Sequence, residues 1–193
     1  MPTTQPSLST ARLHLLPAES AWARAMLDYQ VRNREHFAPW DPIPGGMFYT
    51  ELFWAMRMRQ REMDWKDSRG AFFLVMPEKE AGRVIGTVSL SNINRGVFQG
   101  CHLGYNIDHA HQGQGLMREA VEAVIAFAFG TLRLHRVQAN YQPENERSAG
   151  LLKRLGFQIE GHARDYLFLN GAWRDHVLTS LINRNYDLSP LQA

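Results

Sequence analysis

The chain has a single cysteine, Cys101, among 193 residues. That excludes an internal disulfide framework and any zinc site built on several cysteines. No apolar run approaches the roughly 20 residues that a membrane span requires. Charge of one sign is also scarce, since 21 Lys and Arg face 19 Asp and Glu for a formal +2. This balance argues against a protein that coats DNA or RNA and against an acidic solvating tail. The first ten residues are polar and rich in Pro, Ser and Thr, with no hydrophobic stretch of a secretory signal. Internal repeats, low-complexity segments and inter-domain linkers are absent as well. What remains is 45% hydrophobic and 21% charged, a mix able to bury a core. One domain over residues 1–193 is expected, with 1–10 flexible, no membrane association and a cytoplasmic location.

Periodicity divides the chain into alternating elements. Arg12 to Leu16 reads as a strand, stopped by Pro17. Residues 19–31 read as a helix, with Trp22, Ala25, Met26 and Tyr29 at helical spacing. Residues 33–46 carry three prolines and a glycine pair and read as a loop, although NREHFAPWDP is unusually aromatic and charged for a connector. A helix follows at 50–64, bearing Leu52, Phe53, Met56 and Met63. Strands are expected at 71–76, 83–90, 101–107 and 135–140, and a helix opens after Gln112-Gly113-Gln114-Gly115 with a Met117, Val121, Val124, Ala128 stripe. A helix at 145–155 ends at Gly156, a C-cap glycine. Two last strands, 157–169 and 172–182, flank Asn170-Gly171, a strong hairpin signature. The result is an α/β (α+β) sheet covered by helices.

Two features carry chemistry. Gly113 and Gly115 let backbone approach a ligand, and the helix start behind them offers free N–H groups and a positive dipole end, which suits a pyrophosphate. The same glycines could simply make a tight strand-to-helix turn. The Lys-Ser/Thr of a nucleotide-hydrolysing loop is missing, as is the third glycine of a dinucleotide fingerprint. Asn145 and Ser148, three apart on one helix face, form the second feature. Taken singly, one reads as an N-cap and the other as a small buried residue.

Together these segments resemble the GCN5-related N-acetyltransferase (GNAT) superfamily. HQGQGLM (111–117) is similar to its acetyl-CoA loop, Q/R-x-x-G-x-G/A, with Gln112 and Gly115 matching and Met117 departing at the last small position. PENERSAGLLKRLGF (143–157) is similar to the family's N-x-x-S…L…GF segment. TARLHLL, NREHFAPWDP, NRGVFQGCHLGYNI and LNGAWRDHVLTSL resemble the branch that acetylates ribosomal-protein alanine, and the likeness covers about residues 10–184. The resemblance implies a mixed, mostly antiparallel sheet with helices on both faces and a splayed central strand pair that admits acetyl-CoA. Tyr105, Asn106 and Ile107 would face pantetheine with backbone groups, after a bulge or close approach at Gly104. Gln112, Gly113, Gln114, Gly115, Leu116 and Met117 would hold the pyrophosphate, and Asn145 would touch the cofactor. No metal is implied.

The implied reaction is direct attack of an amine on the thioester, the acceptor being a protein N-terminus, ribosomal within this branch. Ser148 would protonate the departing thiolate. A close relative carries a glutamate base where this chain has Leu167. His102 is the first replacement on its ordinary pKa, although a half-buried structural histidine is the competing reading. A water relay to Glu35 or Asp41 comes second. The aromatic segment, with Phe37 and Trp40 beside Glu35, reads as core or as a substrate wall. Arg57, Arg59 and Arg61 read as a solvated face, or as a ribosome contact. The chain is expected to act as a monomer or homodimer. Alternatives are acetylation of a small amine, such as a polyamine or antibiotic, and a non-catalytic acyl-CoA-binding or ribosome-assembly protein.

Overall fold

The computed structural model of the protein describes residues 4–80 and 82–191. In chain order the elements are β1 (Leu8–Ser9), β2 (Leu13–Pro17), α1 (Ala23–Arg32), α2 (Arg34–Phe37), α3 (Glu51–Lys66), β3 (Ala71–Pro77) and β4 (Gly86–Asn94). They continue with β5 (Gly100–Ile107), α4 (Leu116–Gly130), β6 (Arg136–Tyr141), α5 (Glu146–Arg154), β7 (Gln158–Leu169) and β8 (Ala172–Ile182). The strands make one sheet in the order β1-β2-β3-β4-β5-β6-β8-β7. Every neighbouring pair is antiparallel except β5 and β6, and that parallel pair needs the crossover α4 to connect it. This is the mixed α/β architecture expected. Among the described residues, no helix is long and apolar enough to cross a membrane.

The run AFFLVM shows why helices cover both faces. Successive strand side chains point to opposite sides. Phe73 and Val75 therefore join the core under α4 and α5, while Phe72, Leu74 and Met76 join the core under α1 and α3. In α4 the stripe Met117, Val121, Val124 and Ala128 is buried as its spacing predicts. Asn170 and Gly171 both take positive φ, the primed turn that suits a two-residue hairpin, and Gly156 caps α5 with φ +85°.

Some local details refine or depart from the expectations. The first ten residues are placed from Thr4 onward: Leu8 and Ser9 pair with Leu15 and His14, and Gln5 exchanges hydrogen bonds with the Phe72 backbone at 2.8 and 3.1 Å. Residues 33–46 contain the short helix α2. In α3 the buried face is Trp54, Met58 and Trp65, whereas Leu52, Met56 and Met63 are exposed. Of the bulge or close approach expected at Gly104, the close approach is found, since a Cβ there would meet Ser89 Oγ at 3.0 Å, while the irregularity of the β4–β5 ladder lies at Ser91–Asn94.

Asp108 fastens the end of β5. It is buried, ion-paired to Arg32 Nε at 2.5 Å, and accepts from the Ala110 N–H at 3.0 Å. Arg32 also donates to the Val84 carbonyl, and Asn33 accepts from the His109 N–H at 3.0 Å. Burial works against ionised Asp108, but its hydrogen bonds and the Arg32 charge outweigh burial and hold the carboxyl below its ordinary 3.8. A depressed carboxyl stabilises the fold above its unfolded pKa, and the contribution is lost as pH falls through the folded value. Asp108→Ala should therefore cost about 2–3 kcal/mol in urea unfolding at pH 7, because Arg32 is left without its anion. The difference from the unmodified protein should narrow below about pH 4.

Candidate functional site

The site begins where a ladder stops. Strands β5 and β6 pair through Gly100–Arg136, Cys101–Val137 and His102–Gln138 only. Beyond that point β5 stays with β4 as far as Ile107–Gly86. Strand β6 meanwhile stays with β8 as far as Tyr141–Val177. Each strand keeps its other partner, so the two diverge, and the facing edge of β5 from Leu103 onward lacks a strand partner. The gap opens into a cavity of about 1180 Å³, lined among others by Leu103, Gly104, Tyr105, Asn106 and Ile107 from β5 and by Ala139, Asn140 and Tyr141 from β6.

One wall is the turn into α4. Gly115 is the residue before the helix, at φ +76°, a conformation that glycine adopts without strain. The first helical bond runs from the Glu119 N–H to the Gly115 carbonyl at 3.1 Å. The N–H groups of Leu116, Met117 and Arg118 therefore have no helical acceptor. Gln112, Gly113, Gly115, Leu116 and Met117 line the cavity, with Arg118, Arg147 and Arg154 adding positive charge. Gln114 does not line it. Its carbonyl accepts from Arg12 at 3.0 Å, and its side chain donates to the Ala110 carbonyl at 3.1 Å. Arg12 is itself fixed on Glu119 at 2.6 Å, so Gln114 braces the turn from behind. A pyrophosphate attached to a narrow chain fits this set, with anion at the free N–H groups and chain in the strand gap.

Asn145 caps α5, its Oδ1 accepting from the Ser148 N–H at 3.0 Å, so its amide nitrogen is the part left to meet a ligand. Ser148 and Tyr105 share a hydroxyl–hydroxyl hydrogen bond of 2.7 Å. Burial pushes the Tyr105 phenol up to about 12 against the Ser148 hydrogen bond, so it stays protonated. Asn106 directs its side chain away from the gap, where Oδ1 accepts from Tyr29 at 2.9 Å and Thr87 at 2.6 Å.

The opposite wall carries His36, Phe37, Trp40 and Asp41. His36 Nε2 lies 2.7 Å from Gln112 Nε2, joining this wall to the α4 turn. Burial, His109 and Arg147 hold its pKa below the ordinary 6.5. Burial raises the Asp41 carboxyl from 3.8 to about 6. Two expected residues fall elsewhere. Glu35 is exposed and outside the cavity lining, because the turn of α2 that brings His36 inward rotates its neighbour out. His102 lies in the paired part of β5, bonded through Nε2 to Gln138 Oε1 at 3.1 Å, and is absent from the lining. Leu167 is also outside it, exposed on β7 opposite Arg174. The sequence reading missed His36, Asn140, Arg147 and the buried His176, all of which line the cavity. His36 lies inside the aromatic segment and was within reach, whereas His176 carries no local pattern. Cys101 is buried, which lifts its thiol to about 12, in keeping with a packing residue.

The sequence pattern of the acetyltransferase (GNAT) domain matches residues 12–158. The chain belongs to the GNAT acetyltransferase family. The [ribosomal protein uS5]-alanine N-acetyltransferase of Escherichia coli is 40% identical over 176 residues, covering 90% of this chain and 89% of that one. The crystal structure of ribosomal-protein-S5-alanine acetyltransferase from Vibrio fischeri superposes with a TM-score of 0.90 at 40% identity, covering 95% of this chain and all of that one. Mycobacterium smegmatis RimJ in complex with CoA-disulfide superposes at 0.82 with 25% identity, covering 88% and 81%. This GNAT chain is accordingly an N-acetyltransferase.

Gly115→Val is expected to abolish measurable acetyl-CoA binding by calorimetry. The substitution strains a left-handed residue and puts a branched side chain among the free N–H groups. Gly130→Val, at the far end of α4, should bind acetyl-CoA as the unmodified protein does. Equal binding by both variants would move the cradle elsewhere.

Proposed function

We propose that the protein transfers the acetyl group of acetyl-CoA to the α-amine of an alanine at the N-terminus of a ribosomal protein, in the cytoplasm. The observation that carries this reading is one continuous cavity. Its lining joins the glycine turn that opens α4 to an aromatic wall holding the half-buried carboxyl of Asp41. The two relatives at 40% identity act on alanine of ribosomal protein S5, and their names supply the acceptor class.

The chemistry asks little of the protein. An α-amine has a pKa near ~8, against ~10.4 for lysine, so losing its proton is mild at neutral pH. Asp41, held neutral-to-ionised near pH 6, takes that proton directly or through one water. The amine nitrogen then bonds to the thioester carbon, and unpaired N–H groups on the free edge of β5 meet the developing oxyanion. The carbon–sulfur bond breaks as the Ser148 hydroxyl gives its proton to the sulfur. Tyr105 restores that proton through the 2.7 Å hydrogen bond, and the second proton of the amine nitrogen, lost as the amide forms, returns through solvent to the Tyr105–Ser148 pair. Tyr105, Asn106 and Ile107 hold pantetheine, while Gln112, Gly113, Gly115, Leu116 and Met117 hold the pyrophosphate with Asn145 nearby. Phe37 and Trp40 flank the acceptor.

Incubation with labelled acetyl-CoA and peptides beginning with Ala, alongside spermidine and lysine-only peptides, tests the acceptor. Label is expected on the Ala α-amine, and transfer to spermidine alone would overturn the reading. Ser148→Ala should lower kcat about 100-fold with acetyl-CoA affinity nearly intact, the low end for a general acid because a thiolate leaves readily. An unaltered kcat would remove Ser148 from the mechanism.

Asp41→Asn separates catalysis from stability. A carboxyl whose folded pKa exceeds its unfolded value favours the protonated fold, so stability falls as pH rises from about 4 through about 6. Asparagine removes that penalty, and Tm at pH 7 should rise. The same change should erase the acid limb near pH 6 in kcat/KM and lower kcat by about 100-fold or more.

A further inference from the structure

A second, smaller pocket of about 220 Å³ opens beside the catalytic cavity. The two share Phe37 and Asp41 as walls, so the pocket lies next to the place assigned to the acceptor amine. Phe48 and Tyr49 line its apolar side. Ile43 at its lip is 71% exposed, an aliphatic side chain held in solvent next to a concave site. The hairpin tip helps to fix the pocket, since Asn170 Nδ2 donates to the Ala38 carbonyl at 2.6 Å and Asn170 itself lines the pocket.

Two of the lining side chains have unused hydrogen-bonding capacity. Gln30 is 6% exposed, yet its carboxamide has no hydrogen-bond partner among the described residues. The Asp41 carboxyl has none either. Asp41 is half-buried, and the polar atoms of both side chains remain within reach of solvent, so an open carboxamide and an open carboxyl on one apolar pocket are free to pair with a ligand that enters it. A carboxamide matches a peptide group, as donor and as acceptor, and a carboxylate matches an ammonium. The volume is below the roughly 300 Å³ at which pockets for whole small molecules begin, and it suits one side chain.

We propose that this pocket is an acceptor subsite. It takes one apolar side chain from the second or third residue of the acceptor, while Gln30 pairs with the acceptor backbone. The inference rests on the α-amine reading above and adds a sequence preference to it. Successive side chains of an extended peptide alternate sides, so only one of the two positions enters.

The test measures kcat/KM of the full chain at saturating acetyl-CoA. Short peptides begin with Ala and carry Leu, Gly or Lys at the second or the third position. Leu at one of these positions should raise kcat/KM about 10- to 100-fold over Gly, the range expected for burying a leucine side chain, and chiefly through KM. Ile43→Asp, on an exposed lip where folding is not at stake, should remove the Leu advantage and favour Lys at the same position. Equal kcat/KM for Leu, Gly and Lys at both positions overturns the subsite, as does a Leu advantage that Ile43→Asp leaves untouched. Acetylation of none of the peptides overturns the α-amine reading, and the subsite with it.

Discussion

Strands β5 and β6 share three residue pairs and then part, and the remaining structure is arranged around that parting. An interrupted ladder leaves backbone N–H and C=O groups without partners, at about 1–3 kcal/mol for each group that stays desolvated and unpaired. The protein sustains the interruption because β5 is held by β4 through Ile107 and β6 by β8 through Tyr141. The gap is thus fixed by two intact ladders, one on each side. A linear ligand bearing amides can complete the unpaired edge, which makes the opening both a cost to the free protein and a specific binding surface.

The gap would be of little use if its walls drifted, and three ties hold them. Glu119 on α4 receives Thr10 at 2.5 Å and Arg12 at 2.6 Å, and Arg12 continues to the Gln114 carbonyl, so the first strands brace the anion-binding turn. Asp108 and Arg32 join the end of β5 to the end of α1. His36 and Gln112 then join the acceptor wall to the donor turn. In that contact the histidine nitrogen accepts from the amide, which requires a neutral ring, and burial together with the nearby Arg147 favours one. Donor and acceptor sites therefore share a mechanical link through one side-chain pair.

Local patterns carried most of the fold. Gly156 after a leucine-rich helix and Asn170-Gly171 between two strands announce their own geometry, because only certain residues tolerate positive φ. Gly115, at φ +76° before α4, was legible for the same reason. Glu35, His102 and Gln114 lie outside the cavity lining, and their positions depend on facts that no short window contains. The direction of Glu35 is set by whether 34–37 coils, that of His102 by where a parallel ladder stops, and that of Gln114 by Arg12, a residue 102 positions away. His176 enters the cavity only because β8 is the neighbour of β6, a fact of topology rather than of pattern.

Some of the polar groups left open border the cavity. Asn140 uses its amide nitrogen on the Tyr166 hydroxyl at 3.2 Å, and its Oδ1 is buried without a partner on the β6 side of the cavity. His111 Nδ1 is likewise buried without a hydrogen bond beside the α4 turn, 3.9 Å from Asp108 Oδ1. Asp41 and Gln30 lack hydrogen-bond partners on the acceptor side. A packed protein ordinarily satisfies such groups, and here several of the open ones border the connected space. The hydroxyls that move a proton in the proposed reaction, Tyr105 and Ser148, are by contrast paired to each other. That division follows from what each group has to do: binding groups gain by waiting unpaired for a ligand, whereas a proton donor gains by being held in one orientation before the ligand arrives.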